Sequence, residues 1–386
     1  MTLDTIGILS RLTEFPTVSR DPNIDLILHV AEMLDAAGIR HEIIRDETGK
    51  KANLFATVGP DGHPGVMLSG HTDVVPVDGQ NWTVPPFQLT EQNGKLFGRG
   101  TADMKGFVAA ALGCALKARQ RSLRTPLHLA LSYDEELGCL GVGSLIDMLE
   151  QAPVRPLFCI VGEPTNLAVA TGHKGKTGLR ATFTGKEAHS ALAPTGLNAI
   201  HLATDFIQAV RATQAEIAAH GARDGDYDVP YTTLHVGGIE GGVALNIVPN
   251  HCEVLFEIRN LSADDPQTIL DGLRKTAGEI VAEARQFAPE ADITIETFNA
   301  YPGLNTPPGA DIVDFVKGLT GANGTIKVAF GTEGGLFDQR LGIPVVVCGP
   351  GSMEQGHKPD EFVSLEQLQR CDTMLDHLLD RLEAGL

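Results

Sequence analysis

The chain has 386 residues, 42% hydrophobic and 20% charged, and a formal net charge of −19. That length allows two or three domains with sizeable cores, and the acidic balance argues against nucleic acid or an anionic membrane as partner. The N-terminal MTLDTIGILSRL lacks a basic segment followed by an apolar one, and no window approaches a membrane span, which points to a cytoplasmic protein. Six scattered cysteines (Cys114, Cys139, Cys159, Cys252, Cys348, Cys371), none in a CxxC, read as buried thiols in a reducing compartment.

Helical spacing of apolar residues covers 3–14 and 22–37. The second helix has Asp21 as candidate N-cap, Pro22 in its first turn and Gly38 just past its end. Strands are expected at Ile39–Ile44 and Asn53–Val58, then at 66–68, where a short apolar run ends in GHTDVVP (70–76). Buried parallel strands look like this, and in open α/β sheets ligands collect beyond their carboxyl ends. His71 and Asp73 are therefore well placed as a metal-binding imidazole and the carboxylate that fixes its tautomer, although a lone histidine there is more often a hydrogen-bonded loop residue.

A proline-rich loop with the only tryptophan, Trp82, leads to GRGTADMKG (98–106) and an alanine-rich helix with a basic last turn. Asp103 stands at that helix start, either capping it or reaching a metal through a glycine-lightened loop. The strand PLHLALSY (126–133) runs into Asp134, Glu135 and Glu136. LFCIVGEPT (157–165) ends similarly at Glu163, and GIPVVVCGPGS (342–352) precedes a loop with His357. Two histidines, one aspartate and three glutamates would thus meet at one edge of one sheet.

Between the third and fourth of these loops the texture changes. Residues 178–298 read strand, helix, strand, strand, helix, strand, the order of a ferredoxin-like unit. The expected architecture is an α/β catalytic domain with a mixed sheet, residues 1–177 and 299–386, carrying an inserted lid, 178–298. An excess of carboxylate over imidazole suits two divalent ions bridged by a carboxylate, an arrangement that can clamp attack on a carbonyl and leaves one glutamate as general base. Spacing alone leaves open which of Glu135 and Glu136 binds metal and which moves protons.

GHTDVVP, GRGTADMKG, DEELG, GEPT and GHKPDEFV, in this order and with such an insert, resemble the dinuclear zinc aminoacylase and carboxypeptidase superfamily. Within it the acetylornithine deacetylase family is the most similar. The resemblance implies that His71, Asp103, Glu136, Glu163 and His357 hold two divalent ions, zinc first and cobalt as a substitute, with Asp103 bridging. It makes Glu135 the general acid and base, Asp73 the partner of His71, and the Asp103–Met104 peptide cis. The insert would be a lid through which homodimers form, and His189, in GKEAHSALAP, would reach the partner's site and stabilise an oxyanion. Asn246 and Arg259 match lid positions associated with the substrate carboxylate.

The activity implied is deacetylation of N2-acetyl-L-ornithine in arginine biosynthesis. Thr332 and Glu333, in FGTEGGLF (330–337), would face the amino acid, with Glu333 pairing a side-chain ammonium or merely bridging its own loop. Desuccinylases of diaminopimelate, broader acyl-amino-acid hydrolases and peptidases are the near alternatives. A silent binding module is the distant one, and the presence of Glu135 speaks against it.

Overall fold

A computed structural model describes residues 4–386. In chain order the elements are α1 (Thr5–Thr13), α2 (Ile24–Ala36), β1 (Arg40–Arg45), β2 (Ala52–Val58), β3 (Val66–His71), β4 (Thr90–Gln92), β5 (Lys95–Phe97), α3 (Lys105–Ala118), β6 (Leu127–Ser132), α4 (Val142–Gln151), β7 (Phe158–Pro164) and β8 (Val169–His173). There follow β9 (Lys176–Thr184), α5 (Ala199–His220), β10 (Thr233–Gly241), β11 (His251–Arg259), α6 (Pro266–Ala284) and β12 (Asp292–Tyr301). The chain closes with β13 (Leu304–Asn305), α7 (Asp311–Thr320), β14 (Thr325–Val328), α8 (Gly334–Leu336), β15 (Val345–Gly349), β16 (Phe362–Ser364) and α9 (Leu365–Ala384). Among the described residues no helix is long and apolar enough to cross a membrane.

One compact unit comprises the described residues up to His173 together with Leu304–Leu386; the other is Lys174–Gly303. The second reaches a few residues beyond 178–298 at each end because β9 and β12 pair as far as Lys176 and Tyr301.

In the first unit the main sheet runs β1-β2-β6-β3-β7-β15-β8-β13, with β14 beside β8. Its centre is parallel: β3 pairs in parallel with β6 and β7, and β7 with β15. Every residue of β3, β6 and β15 is buried, as in strands covered on both faces. Helix α3 packs on β3, β6 and β7 and lies beside α1 and α9; its small residues Ala109, Ala110, Ala111, Cys114 and Ala115 permit burial nearly all round.

Local punctuation departs from expectation in two places. Helix α2 begins at Ile24, and Asp21 does not cap it. Asn23 precedes the helix, and its amide is engaged elsewhere, exchanging 2.9 Å hydrogen bonds with the backbone of Ala52 and donating to Thr72 Oγ1 at 3.0 Å. Asp103 does not cap α3 either: Met104 is the N-cap residue and provides no side-chain bond. The Asp103–Met104 peptide is cis, as the resemblance implies.

The second unit is a four-stranded antiparallel sheet, β10-β11-β9-β12, covered by α5 and α6. Leu179, Ala181 and Phe183 from β9, Cys252, Val254 and Phe256 from β11, and Phe206 from α5 form its own core. The alternation along β11 that marks a one-sided strand in the sequence is the alternation of burial seen here.

Candidate metal centre

Strands β6, β3, β7 and β15 are neighbours and parallel, so their carboxyl ends share one edge. His71 is the last residue of β3 and Glu163 the penultimate residue of β7, whereas Glu135, Glu136 and His357 follow β6 and β15. Asp103 enters from the turn before α3 and stands between the two imidazoles. Its Oδ1 lies 3.1 Å from His71 Nε2 and its Oδ2 3.1 Å from His357 Nε2.

Each imidazole has a second carboxylate. His71 Nε2 is 3.7 Å from Glu163 Oε1, and His357 Nε2 is 3.1 Å from Glu136. Possible ligand atoms of His71, Glu135 and Glu163 lie within 4.8 Å of one another, and so do those of His71, Asp103 and Glu136. Asp103 and Glu163 are 5% and 3% exposed, so this much negative charge is held away from water. Buried carboxylates in such number require compensating positive charge. The donor set, imidazole nitrogens and carboxylate oxygens with Asp103 standing between the two imidazoles, fits a pair of divalent cations.

The electrostatics carry the same message. Burial, and then neighbouring carboxylates, push Glu135 and Glu163 well above the usual carboxylate range, and Glu136 up to about 7. Burial works against the His71 imidazolium, but its bonds to Asp103 and Asp73 prevail and raise it. Contacts with Asp103 and Glu136 raise His357 to about 10. Asp103 is lowered: its burial is overcome by the two imidazoles.

Around this cluster the structure shows a supporting layer. His71 Nδ1 lies 2.9 Å from the backbone carbonyl of Asp73 and 3.5 Å from its carboxylate. The Asp73 carboxylate accepts from Ser19 Oγ at 2.7 Å and from the backbone N–H groups of Glu135 and Glu136 at 3.2 and 3.3 Å. Cys139 Sγ, 3.4 Å away, donates to Glu135 Oε1.

A family model described as Peptidase family M20/M25/M40 matches residues 67–381. The chain belongs to this family. It is therefore a hydrolase of amide bonds, and the buried histidine–carboxylate cluster is the family's candidate metal-binding site. Among curated relatives, an acetylornithine deacetylase from Pasteurella multocida (strain Pm70) is 35% identical, covering 97% of each chain. Another from Myxococcus xanthus is 35% identical over 95% of this chain and 94% of its own. Among solved structures, an M20 family metallo-carboxypeptidase from Sulfolobus solfataricus superposes with a TM-score of 0.79 at 18% identity, covering 99% of this chain and all of that one (100%), which speaks for the shared fold.

Glu333 is 1% exposed; Ser69 Oγ lies 3.5 Å from its Oε2, and Ser132 is the other hydroxyl that reaches its carboxylate. Burial lifts it to about 7. Thr332 is fully buried and accepts the Gly334 N–H at 2.9 Å, so its hydroxyl serves the local turn. His189, Asn246 and Arg259 belong to the second unit. The first two are neighbours, since His189 bridges Ile247 and Ser190 N donates to Asn246 O at 3.0 Å. Arg259 ends β11, which starts at His251. That strand is about 27 Å long at the usual rise per residue, and Arg259 stands at the end remote in sequence from Asn246.

Sequence reasoning missed Arg99 and Glu361. They form a fully buried ion pair at 2.7 Å, each 1% exposed, and Glu361 Oε1 also accepts the backbone N–H groups of Ala102 and Asp103 at 2.9 and 3.0 Å. Gln80 joins this layer, accepting from Arg99 Nη2 at 2.6 Å and donating to His357 O at 3.1 Å. The signal was present in the motifs themselves: GRG holds an arginine and GHKPDEFV a glutamate that no ligand role required.

Proposed function

We propose that the chain is a metal-dependent amidohydrolase that removes the acetyl group from N2-acetyl-L-ornithine, giving L-ornithine and acetate. The reading rests on one observation above all: Asp103 turns its two oxygens to two different imidazoles, each with its own second carboxylate. His71, Asp103 and Glu163 would hold one divalent ion and His357, Asp103 and Glu136 the other, zinc before cobalt. Ions held there would supply polarisation of the amide carbonyl and acidification of a water. Glu135 takes the proton that the attacking water gives up and delivers it to the departing nitrogen. Its Oε1 accepts from Cys139, leaving Oε2 for this transfer.

His189 supplies an oxyanion donor in this scheme. Its Nδ1 accepts the Ala191 N–H at 3.1 Å, so in the neutral ring the proton sits on Nε2, ready to donate. Asn246 accompanies it, and Arg259 offers a bidentate fork to the substrate carboxylate. With the lid working across a homodimer, His189 and Asn246 would serve the partner's site. Their distance from Arg259 along β11 is compatible with that division.

The choice of substrate draws on the deacetylase relatives and on Glu333. A buried carboxylate met only by the hydroxyls of Ser69 and Ser132, with no cation beside it among the described hydrogen bonds and ion pairs, is what a desolvated ornithine ammonium would satisfy. Thr332 would shape that loop rather than touch substrate. The role inferred is a cytoplasmic step of arginine biosynthesis.

The test is kcat/KM for N-acetyl-L-ornithine, N-succinyl-diaminopimelate and N-acetyl-L-methionine with metal-reconstituted protein. A strong preference for acetylornithine is expected, with Glu333→Gln erasing the advantage of the cationic side chain. Preference for either competitor would overturn the substrate; an unaltered preference in Glu333→Gln would remove that residue from its role.

A further inference from the structure

The turn carrying Glu135 and Glu136 is fixed by a closed ring of hydrogen bonds that uses neither of their side chains. Lys51 Nζ donates to both carboxylate oxygens of Asp134, at 2.6 and 2.7 Å, and to Ser19 O at 2.5 Å. Ser19 Oγ donates to Asp73 Oδ2 at 2.7 Å. Asp73 accepts the backbone N–H groups of Glu135 and Glu136 at 3.2 and 3.3 Å, and the Asp134–Glu135 peptide closes the circuit.

Topology explains why these residues meet. Strand β2 runs antiparallel to β6, so the residue before β2 lies beside those that follow β6. The base of Lys51 is held in turn, because the neighbouring Ala52 exchanges two hydrogen bonds with the Asn23 amide. The Lys51 and Asp134 side chains are only 17% and 13% exposed, shielded enough that deleting one partner strands the other's charge. Asp134 has φ +55°, a left-handed conformation uncommon for a residue with a Cβ. A side-chain anchor makes that conformation persist.

We propose that Lys51 is a positioning residue: through Asp134 its ammonium sets where Glu135 and Glu136 project. The inference rests on the roles given to those glutamates above. It has an asymmetric consequence. Glu136 stands with His357, 3.1 Å away, whereas His71 and Glu163 lie within β3 and β7, outside the turn. Losing Lys51 loosens one half of the cluster and spares the other.

The experiment is a calorimetric Zn2+ titration of chelated protein: wild type, Lys51→Met, Lys51→Arg, Asp134→Asn and the Lys51→Met/Asp134→Asn pair. Wild type should show two binding events. In Lys51→Met and Asp134→Asn one event should weaken about tenfold or more, the usual effect of losing an outer-shell partner, with the other unchanged. Lys51→Arg should recover part of the loss, and the pair should be no weaker than the worse single change, since both cut one ring. On N-acetyl-L-ornithine, kcat should fall while KM holds.

Two unchanged events, two events weakened alike, or fewer than two in wild type would overturn the proposal. Thermal midpoints identify a variant that has not folded, in which case Asp134→Asn, similar in size, decides. If wild type hydrolyses no N-acyl amino acid, the functional reading fails while the titration still judges Lys51.

Discussion

A carboxylate that shuttles a proton can be replaced by its amide without changing shape, so Glu135→Gln isolates chemistry from architecture. We expect kcat for N-acetyl-L-ornithine to fall at least about a hundredfold, within the range of general acid–base catalysis, with metal content unchanged. Loss of metal from that variant would instead make Glu135 a ligand. The cluster also dictates how metal-free protein responds to pH. Carboxyls raised on folding keep protons that the unfolded chain has released, so their stabilisation is full at low pH. It is lost as pH climbs from about 4.3 through the value near 7 of Glu136 and Glu333. His357, raised to about 10, works in the same sense from about 6.5 upward. Asp103, lowered, loses its contribution only in stronger acid. The thermal midpoint of chelated protein should therefore fall between pH 5 and pH 9, and the gap to metal-loaded protein should widen, because ligands bind metal deprotonated. A flat or rising midpoint would contradict these shifts. At this scale the candidate ligands stood out in the sequence by position, Asp103 at the start of an alanine-rich helix and the others in segments that follow apolar runs. The work of Asp73 was only half legible: spacing suggested a partner for His71 but could not disclose that its carboxylate gathers the amides of Glu135 and Glu136.

Strands β6, β3, β7 and β15 bring their ends together because they pair in parallel as buried neighbours, and the apolar runs that begin them are visible in the sequence. How closely a helix may approach them is set by glycine. A Cβ on Gly162, just before Glu163, would lie 2.0 Å from the ring of Phe107 in α3, the helix that follows Asp103. Gly162→Ala should cost about 1–3 kcal/mol, as overpacking does, and separate Glu163 from Asp103. Denaturant unfolding together with metal content measures both effects, and wild-type values in the two would refute the close approach. Such contacts were illegible beforehand because they depend on which residues face each other across elements. The same holds for Asn23, which precedes α2 with its amide committed to Ala52 and Thr72. For Asp103 the sequence left cap and ligand both open, and the fold sets two imidazoles beside it.

The periodicity changes near residue 178, and Lys174–Gly303 has its own core. His173 and Leu304 are paired neighbours in β8 and β13, so a short linker can replace everything between them. We expect residues 174–303 alone to unfold cooperatively, and the linked remainder to bind two zinc ions yet hydrolyse acetylornithine at least about a hundredfold more slowly, lacking the donor His189. Full activity in the remainder would confine catalysis to the first unit. A homodimer is a matter of surfaces meeting in solution, which periodicity does not encode. Two ions and one mobile proton make the molecule a catalyst in this view, and stoichiometric reconstitution examines that together. Chelated protein is titrated with Zn2+ while N-acetyl-L-ornithine hydrolysis is followed in wild type and Glu135→Gln. Activity should rise to a plateau by two equivalents in wild type and stay near background in the variant. Hydrolysis that persists in chelated protein, or a variant that matches wild type, would contradict the assignment.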